Sequence, residues 1–185
     1  MDKIKLGVLV GGTSIEREVS KKSCENLLAN LDENKYEITV YHLPADGNTE
    51  WAKNIISNPP QIVLSALHGG NGENGSIQGF LHCLNIPYIG SKVLSSAICM
   101  NKAMAKTVMK ANHIQVPDHV FVMRGVDFSQ YEESIKLMGF PLIVKPNRGG
   151  SSIGVIVARN MEDIHYGIKN IIETYDDDVL IEKFI

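Results

Sequence analysis

The sequence predicts an α/β chain in two units, an open and mostly parallel sheet with helices on its faces over residues 1–100, then a smaller α+β unit over 101–185. Three observations predict it. Short apolar runs closed by glycine-bearing loops read as strands buried on both faces. Helical segments alternate with them, in the order strand, helix, strand, helix, strand. Past Asn101 a second series of strand candidates begins, with its own glycine- and serine-rich turn.

The first strand is the apolar run 6–10, closed by Gly11 and Gly12. Residues 18–31 follow with helical character, carried by Val19, Leu27, Leu28 and Leu31. Residues 36–41 alternate and favour a strand, and 62–67 form another buried-strand candidate. A helix over 75–84 would begin at Ser76, whose hydroxyl can satisfy a free amide of the first turn, with a brief strand at 86–90 after it. In such a sheet ligands sit off the carboxyl ends of the strands, where the loops after Val10 and Leu67 lie. The second unit opens with a helix over 102–110. It continues with strands at 119–122, 141–144 and 154–157, a helix at 161–172 and a last strand from Val179.

Composition narrows the function. With 18 Lys and Arg against 21 Asp and Glu, the net charge of −3 leaves no surplus of basic side chains for a phosphodiester backbone, so nucleic acid is not an expected partner. The three cysteines, Cys24, Cys83 and Cys99, form no CxxC pair and suggest neither a disulfide framework nor a zinc site. The amino-terminal apolar run is too short for a signal core, and no stretch approaches the roughly 20 apolar residues of a membrane span. A cytoplasmic protein without a membrane partner is the expectation.

Three loops carry chemistry. The turn from Gly11 to Ser20 lacks the G-x-G-x-x-G spacing of a dinucleotide site. A carboxylate there, Glu16, can face an ammonium group; alternatively Ser14 caps the helix and Glu16 complements its dipole. The loop from Leu67 to Gly79 has Gly70 and Gly75 spaced as in a P-loop, but Ser76 stands where that motif needs lysine. Walker-type binding is thereby rejected, while His68, just past the strand, is a candidate site residue. In the third loop two apolar strands flank Asn147 to Ser152, and Lys145 closes the first strand. Such a hairpin can fold amides and hydroxyls over a polyphosphate while the lysine supplies a point charge.

The segments GGTSIEREVS, LHGGNGENGSIQG, IPYIGS with Lys102 after it, PLIVKPNRGGSSIGV and VLIEKFI resemble, in order and at compatible spacing, the successive motifs of D-alanine–D-alanine ligases, members of the ATP-grasp superfamily. The resemblance implies a pre-ATP-grasp domain over 1–100 and the small α+β subdomain of an ATP-grasp fold over 101–185, with the large carboxyl-terminal lobe absent. It implies ATP-dependent joining of two D-alanines through an acyl phosphate, for peptidoglycan precursors. By position, Glu16 resembles the residue that holds the ammonium of the first D-alanine, and His68 the histidine beside its carboxylate. Ser151 resembles the loop serine that links Glu16 to a downstream tyrosine, and Ser152 belongs to the same loop. Lys102 and Lys145 resemble the two lysines on the ATP phosphates, and Glu182, Lys183, Phe184 and Ile185 the adenine-binding strand.

Family members continue into a lobe that carries the magnesium ligands, so Mg2+ is implied for the family and no metal ligand is assigned in this chain. Asp176, Asp177 and Asp178 point in different directions as consecutive residues and read as a solvated turn. The family's habit of pairing through the first domain makes a homodimer an expectation. Three further readings stay open: a D-alanine–D-lactate or D-alanine–D-serine ligase, a superfamily member with another carboxylate substrate, and a non-catalytic ligand-binding module. For these 185 residues alone, no release of phosphate from ATP is expected.

Overall fold

The computed structural model describes residues 2–185. The chain divides into two compact units, Met1–Ala97 and Ile98–Ile185, each with its own sheet.

In the first unit β1 (Ile4–Gly11) leads to α1 (Arg17–Asn30), β2 (Tyr36–Leu43), α2 (Glu50–Ser57) and β3 (Ile62–Ser65). The strands form a parallel sheet in the order β2-β1-β3. β1 is central and shows why its run is uninterrupted. Leu6, Val8 and Val10 pack with Cys24 and the leucines of α1 on one face, and Leu9 packs with Tyr41, Ile55 and Val63 on the other. Period-2 alternation between two covered faces demands an apolar side chain at nearly every position. Two short helices, α3 (Gly70–Glu73) and α4 (Ser76–Cys83), follow, and α5 (Val93–Met100) lies across the division.

Two expectations need correction here. Ser76 does not cap α4: Gly75 occupies the cap position, and Asn74 Oδ1 accepts from Ser76 N at 3.0 Å. The brief strand expected at 86–90 is a single parallel bridge, Val63 to Tyr88, fixed by Val63 N to Pro87 O at 2.8 Å and Ile89 N to Val63 O at 3.0 Å. With Ile89 half in solvent beyond it, the edge has nothing to extend along.

The second unit comprises α6 (Lys102–Ala111), β4 (His119–Val122), α7 (Ser129–Met138), β5 (Leu142–Pro146), β6 (Ile156–Ala158), α8 (Met161–Tyr175) and β7 (Val179–Lys183). Its sheet is antiparallel in the order β4-β7-β5-β6. Leu142, Val144, Val179 and Ile181 point to one face, where Ile135, Ile164, Ile168 and Ile171 cover them. Gly167 lets α8 press onto β5, since a Cβ there would stand 2.9 Å from Val144 Cγ1. Alternation then sends Lys145 and Glu182 to the opposite face, away from this core. No described helix is long and apolar enough to cross a membrane.

Candidate functional site

In the first unit, Gly11 at the end of β1 is in register with Leu43 at the end of β2, and β3 ends with Ser65 opposite Leu9. The loops that leave these ends enclose a cleft of about 140 Å³ whose lining includes Gly12, Ser14, Leu43, Trp51, His68 and Gly69. Arg17 holds the rim together, donating from Nη1 to Gly12 O at 3.1 Å and Leu43 O at 3.3 Å. From beneath, the buried Ser20 hydroxyl accepts from Gly11 N at 2.8 Å.

Glu16 occupies the cap position of α1, and no side chain caps that helix. Ser14 therefore does not act as its cap; its hydroxyl accepts from Glu16 N at 3.1 Å in the turn before it. That turn sets the Glu16 carboxylate against the second loop. Gly69, at φ +63° and ψ 179°, occupies backbone space open essentially to glycine, and a Cβ there would collide with Glu16 Oε2 and Ser14 Oγ. His68, the next residue back, is oriented by Ser23, whose hydroxyl lies 2.8 Å from Nε2. Glu73 stands 3.9 Å from its Nδ1. The Glu16 carboxylate thus lies against the loop that carries His68, and the His68 imidazole itself lines the cleft; a carboxylate and an imidazole on neighbouring loops of this kind suit a small zwitterion.

In the second unit, β5 and β6 form the expected hairpin, joined by residues 147–155. Its base is anchored twice. Asn147, wholly buried, accepts through Oδ1 from Ala103 N at 2.9 Å and through its carbonyl from Lys102 N at 3.1 Å, at the start of α6. The Lys102 ammonium donates to the carbonyls of Asn147, at 3.4 Å, and Gly149. Ser151 and Ser152, at φ +49° and +57°, turn the exposed tip, and Gly154 closes it at φ +73°. Below the hairpin, Lys145 pairs with Glu182 Oε1, while Lys106 of α6 forms an ion pair with Oε2 at 2.8 Å. Burial pushes the Glu182 carboxyl up, but the two lysines together more than reverse this and hold it below its ordinary value. Two cations on one carboxylate leave a net positive charge under a glycine- and serine-rich loop. An anion is the ligand that such a place stabilises.

Two family models match the chain: that described as D-ala D-ala ligase N-terminus over residues 49–91, and D-ala D-ala ligase C-terminus over 108–185. They match in chain order and cover most of it. The chain belongs to the D-alanine–D-alanine ligase family. A D-alanine–D-alanine ligase of Bacillus anthracis is 41% identical over 183 residues, which are 98% of this chain and 58% of that protein. The crystal structure of the Bacillus anthracis ligase complexed with ATP superposes with a TM-score of 0.81 at 35% identity, covering 98% of this chain and 59% of that one. The VanG D-Ala:D-Ser ligase of Enterococcus faecalis does so at 0.83 and 27%, covering all of this chain and 63% of that one. The chain thus spans a little under two thirds of the length of its ligase relatives.

Within this ligase-family chain, the residues singled out by sequence fall into three groups. Glu16 meets the His68 loop, and Lys145 meets Glu182. Lys102 instead engages the hairpin carbonyls, and Lys183, Phe184 and Ile185 are exposed, Ile185 at 94%. The acidic triplet is not the solvated turn expected. Only Asp176 is exposed; Asp177 is 6% exposed and accepts from Arg148 N at 2.5 Å, and Asp178 accepts from Arg124 N at 3.0 Å and Arg148 Nη2 at 3.1 Å. Three acids at the carboxyl end of α8, where the helix dipole already disfavours them, are compensated by these arginines. Lys106 is the residue that sequence reasoning missed. On an amphipathic helix with two other lysines it carries no distinguishing signal.

Proposed function

We propose that the protein to which this chain belongs joins two D-alanines at the expense of ATP, with these residues holding the first amino acid and part of the nucleotide. The observation that carries the reading is the closure of the Glu16 turn onto Gly69, which brings a carboxylate to the His68 loop at the carboxyl edge of a parallel sheet. ATP supplies the phosphoryl group that activates the first carboxylate as an acyl phosphate, and the second amine then displaces phosphate. The protein's part is charge stabilisation and alignment rather than a nucleophile of its own.

In this reading Glu16 accepts from the ammonium of the first D-alanine, and His68, steadied by Ser23, stands beside its carboxylate. Lys102 and Lys145 meet the phosphates, and the amides and hydroxyls of Ser151 and Ser152 fold over them. Glu182 accepts from the exocyclic amine of adenine, with Lys183, Phe184 and Ile185 along the same strand. The residues present do not fit a magnesium ion. Asp177 and Asp178 are committed to Arg148 and Arg124, and no group of three or more acidic, histidine or cysteine side chains among the described residues could hold a metal. Discrimination among D-alanine, D-serine and D-lactate as second substrate is a matter for product analysis.

Titration calorimetry of the full-length protein with D-alanine and with ATP tests the assignment. Glu16→Gln and His68→Ala are expected to weaken D-alanine about tenfold or more, the scale of a lost hydrogen bond to a charged group, with ATP affinity unchanged. Unchanged amino-acid affinity in both variants transfers the activity to a different carboxylate substrate.

A further inference from the structure

Glu182 and Lys145 were both assigned to the nucleotide, one to the base and one to the phosphates, yet in the structure they hold each other. If Lys145 turns to a phosphate, the carboxylate loses half of its compensation. Its residue is only 8% exposed, and an unpaired carboxylate at that depth is strongly disfavoured. The partner that stays is Lys106. It is 9% exposed, is carried by α6 rather than by the sheet, and addresses Oε2 while Lys145 addresses Oε1. A carboxylate has about four lone-pair sites, so an oxygen held by Lys106 keeps capacity for a further donor.

α6 is itself fixed to the hairpin. Ala103 N and Lys102 N bond Asn147 three and four residues before Lys106, so one turn of helix carries Lys106 from the loop base to Glu182. Resting on the ATP reading above, we propose that Lys106 is a positioning residue of the nucleotide site, an ammonium group that keeps Glu182 in place for the base when Lys145 is released to the phosphates. Its role is to select adenine. Without it, Glu182 either retains Lys145 or turns aside, and in both cases the exocyclic amine loses its acceptor.

The test compares ATP with inosine triphosphate, which carries a carbonyl where adenine carries the amine, by calorimetric titration of the full-length protein. The wild type is expected to bind ATP more tightly, and equal affinity for the two nucleotides overturns the inference. In Lys106→Met the ratio of ATP to inosine triphosphate affinity is expected to fall about tenfold, as for loss of a hydrogen bond to a charged acceptor, and Lys106→Arg is expected to restore most of it. In a Glu182→Gln background, where no buried carboxylate is left to compensate, Lys106→Met is expected to change the ratio no further. An unchanged ratio in Lys106→Met, or a further fall in the Glu182→Gln background, overturns the inference while leaving the ATP reading intact. Failure of the wild-type protein to bind ATP overturns both.

Discussion

Gly69 and Glu182 are the two residues whose chemistry is most constrained. At Gly69 both the positive φ and the Glu16 carboxylate exclude a side chain, so Gly69→Ala moves the carboxylate or the loop. The expected outcome is a cost of about 1–3 kcal/mol in stability and a loss of D-alanine affinity comparable to Glu16→Gln, measured by urea unfolding and calorimetry. An alanine variant that binds D-alanine normally contradicts the placement of Glu16. For Glu182 the sign of the pH effect follows from its lowered pKa, where burial raises it and the lysines lower it further. A carboxyl depressed in the folded state stabilises the fold fully above its ordinary value of 4.5, and that contribution is lost as pH falls through the lower folded value. The stability difference between wild type and Glu182→Gln is therefore expected to be constant near pH 6–7 and to close in acid, which thermal unfolding at stepped pH measures. A difference that grows below pH 4 would contradict the ion cluster.

The β5–β6 hairpin is the element on which the nucleotide reading depends; Asp177 holds it at Arg148, and Gly154 closes its tip. Asp177→Ala removes the acceptor for Arg148 N and Asp178 N, leaving two amides without their partner, with an expected loss of about 1–3 kcal/mol. Hydrogen exchange at residues 147–155 should accelerate together with that loss; unchanged protection there removes the latch from the account. Gly154→Ala should cost about 2 kcal/mol, because its Cβ would stand 2.9 Å from both Pro146 Cγ and Tyr175 Cε2 at a positive φ. The hairpin, β1 and α1 were legible in the sequence because each is specified locally, by a continuous apolar run or by two strands around glycines. What escaped depended on distant partners. α7 announces itself weakly, since it buries one isoleucine, Ile135, under a polar surface, whereas α2 was expected from the element order without bounds. The Asp177 and Asp178 clamps need Arg148 and Arg124, which lie roughly 30 and 50 residues away. Lys106 becomes distinct from its helical neighbours only when Glu182, 76 positions on, is placed beside it.

At the scale of the molecule, two sheets with separate cores divide the work: one presents a carboxylate and an imidazole at a parallel edge, the other a surplus of positive charge beneath a serine-rich turn. Such a division suits a reaction in which an amino acid and a nucleotide are bound by different parts of the chain. The chain spans 58% of the length of its Bacillus anthracis relative, so the proposed reaction is to be tested on the full-length protein. The most direct measurement is phosphate release from ATP by that protein with and without D-alanine, with the dipeptide quantified in parallel. The account predicts phosphate only when D-alanine is present, one for each D-alanyl-D-alanine formed, and its loss in Glu16→Gln. Phosphate release indifferent to D-alanine, or D-alanine-dependent turnover that survives Glu16→Gln unchanged, would contradict it.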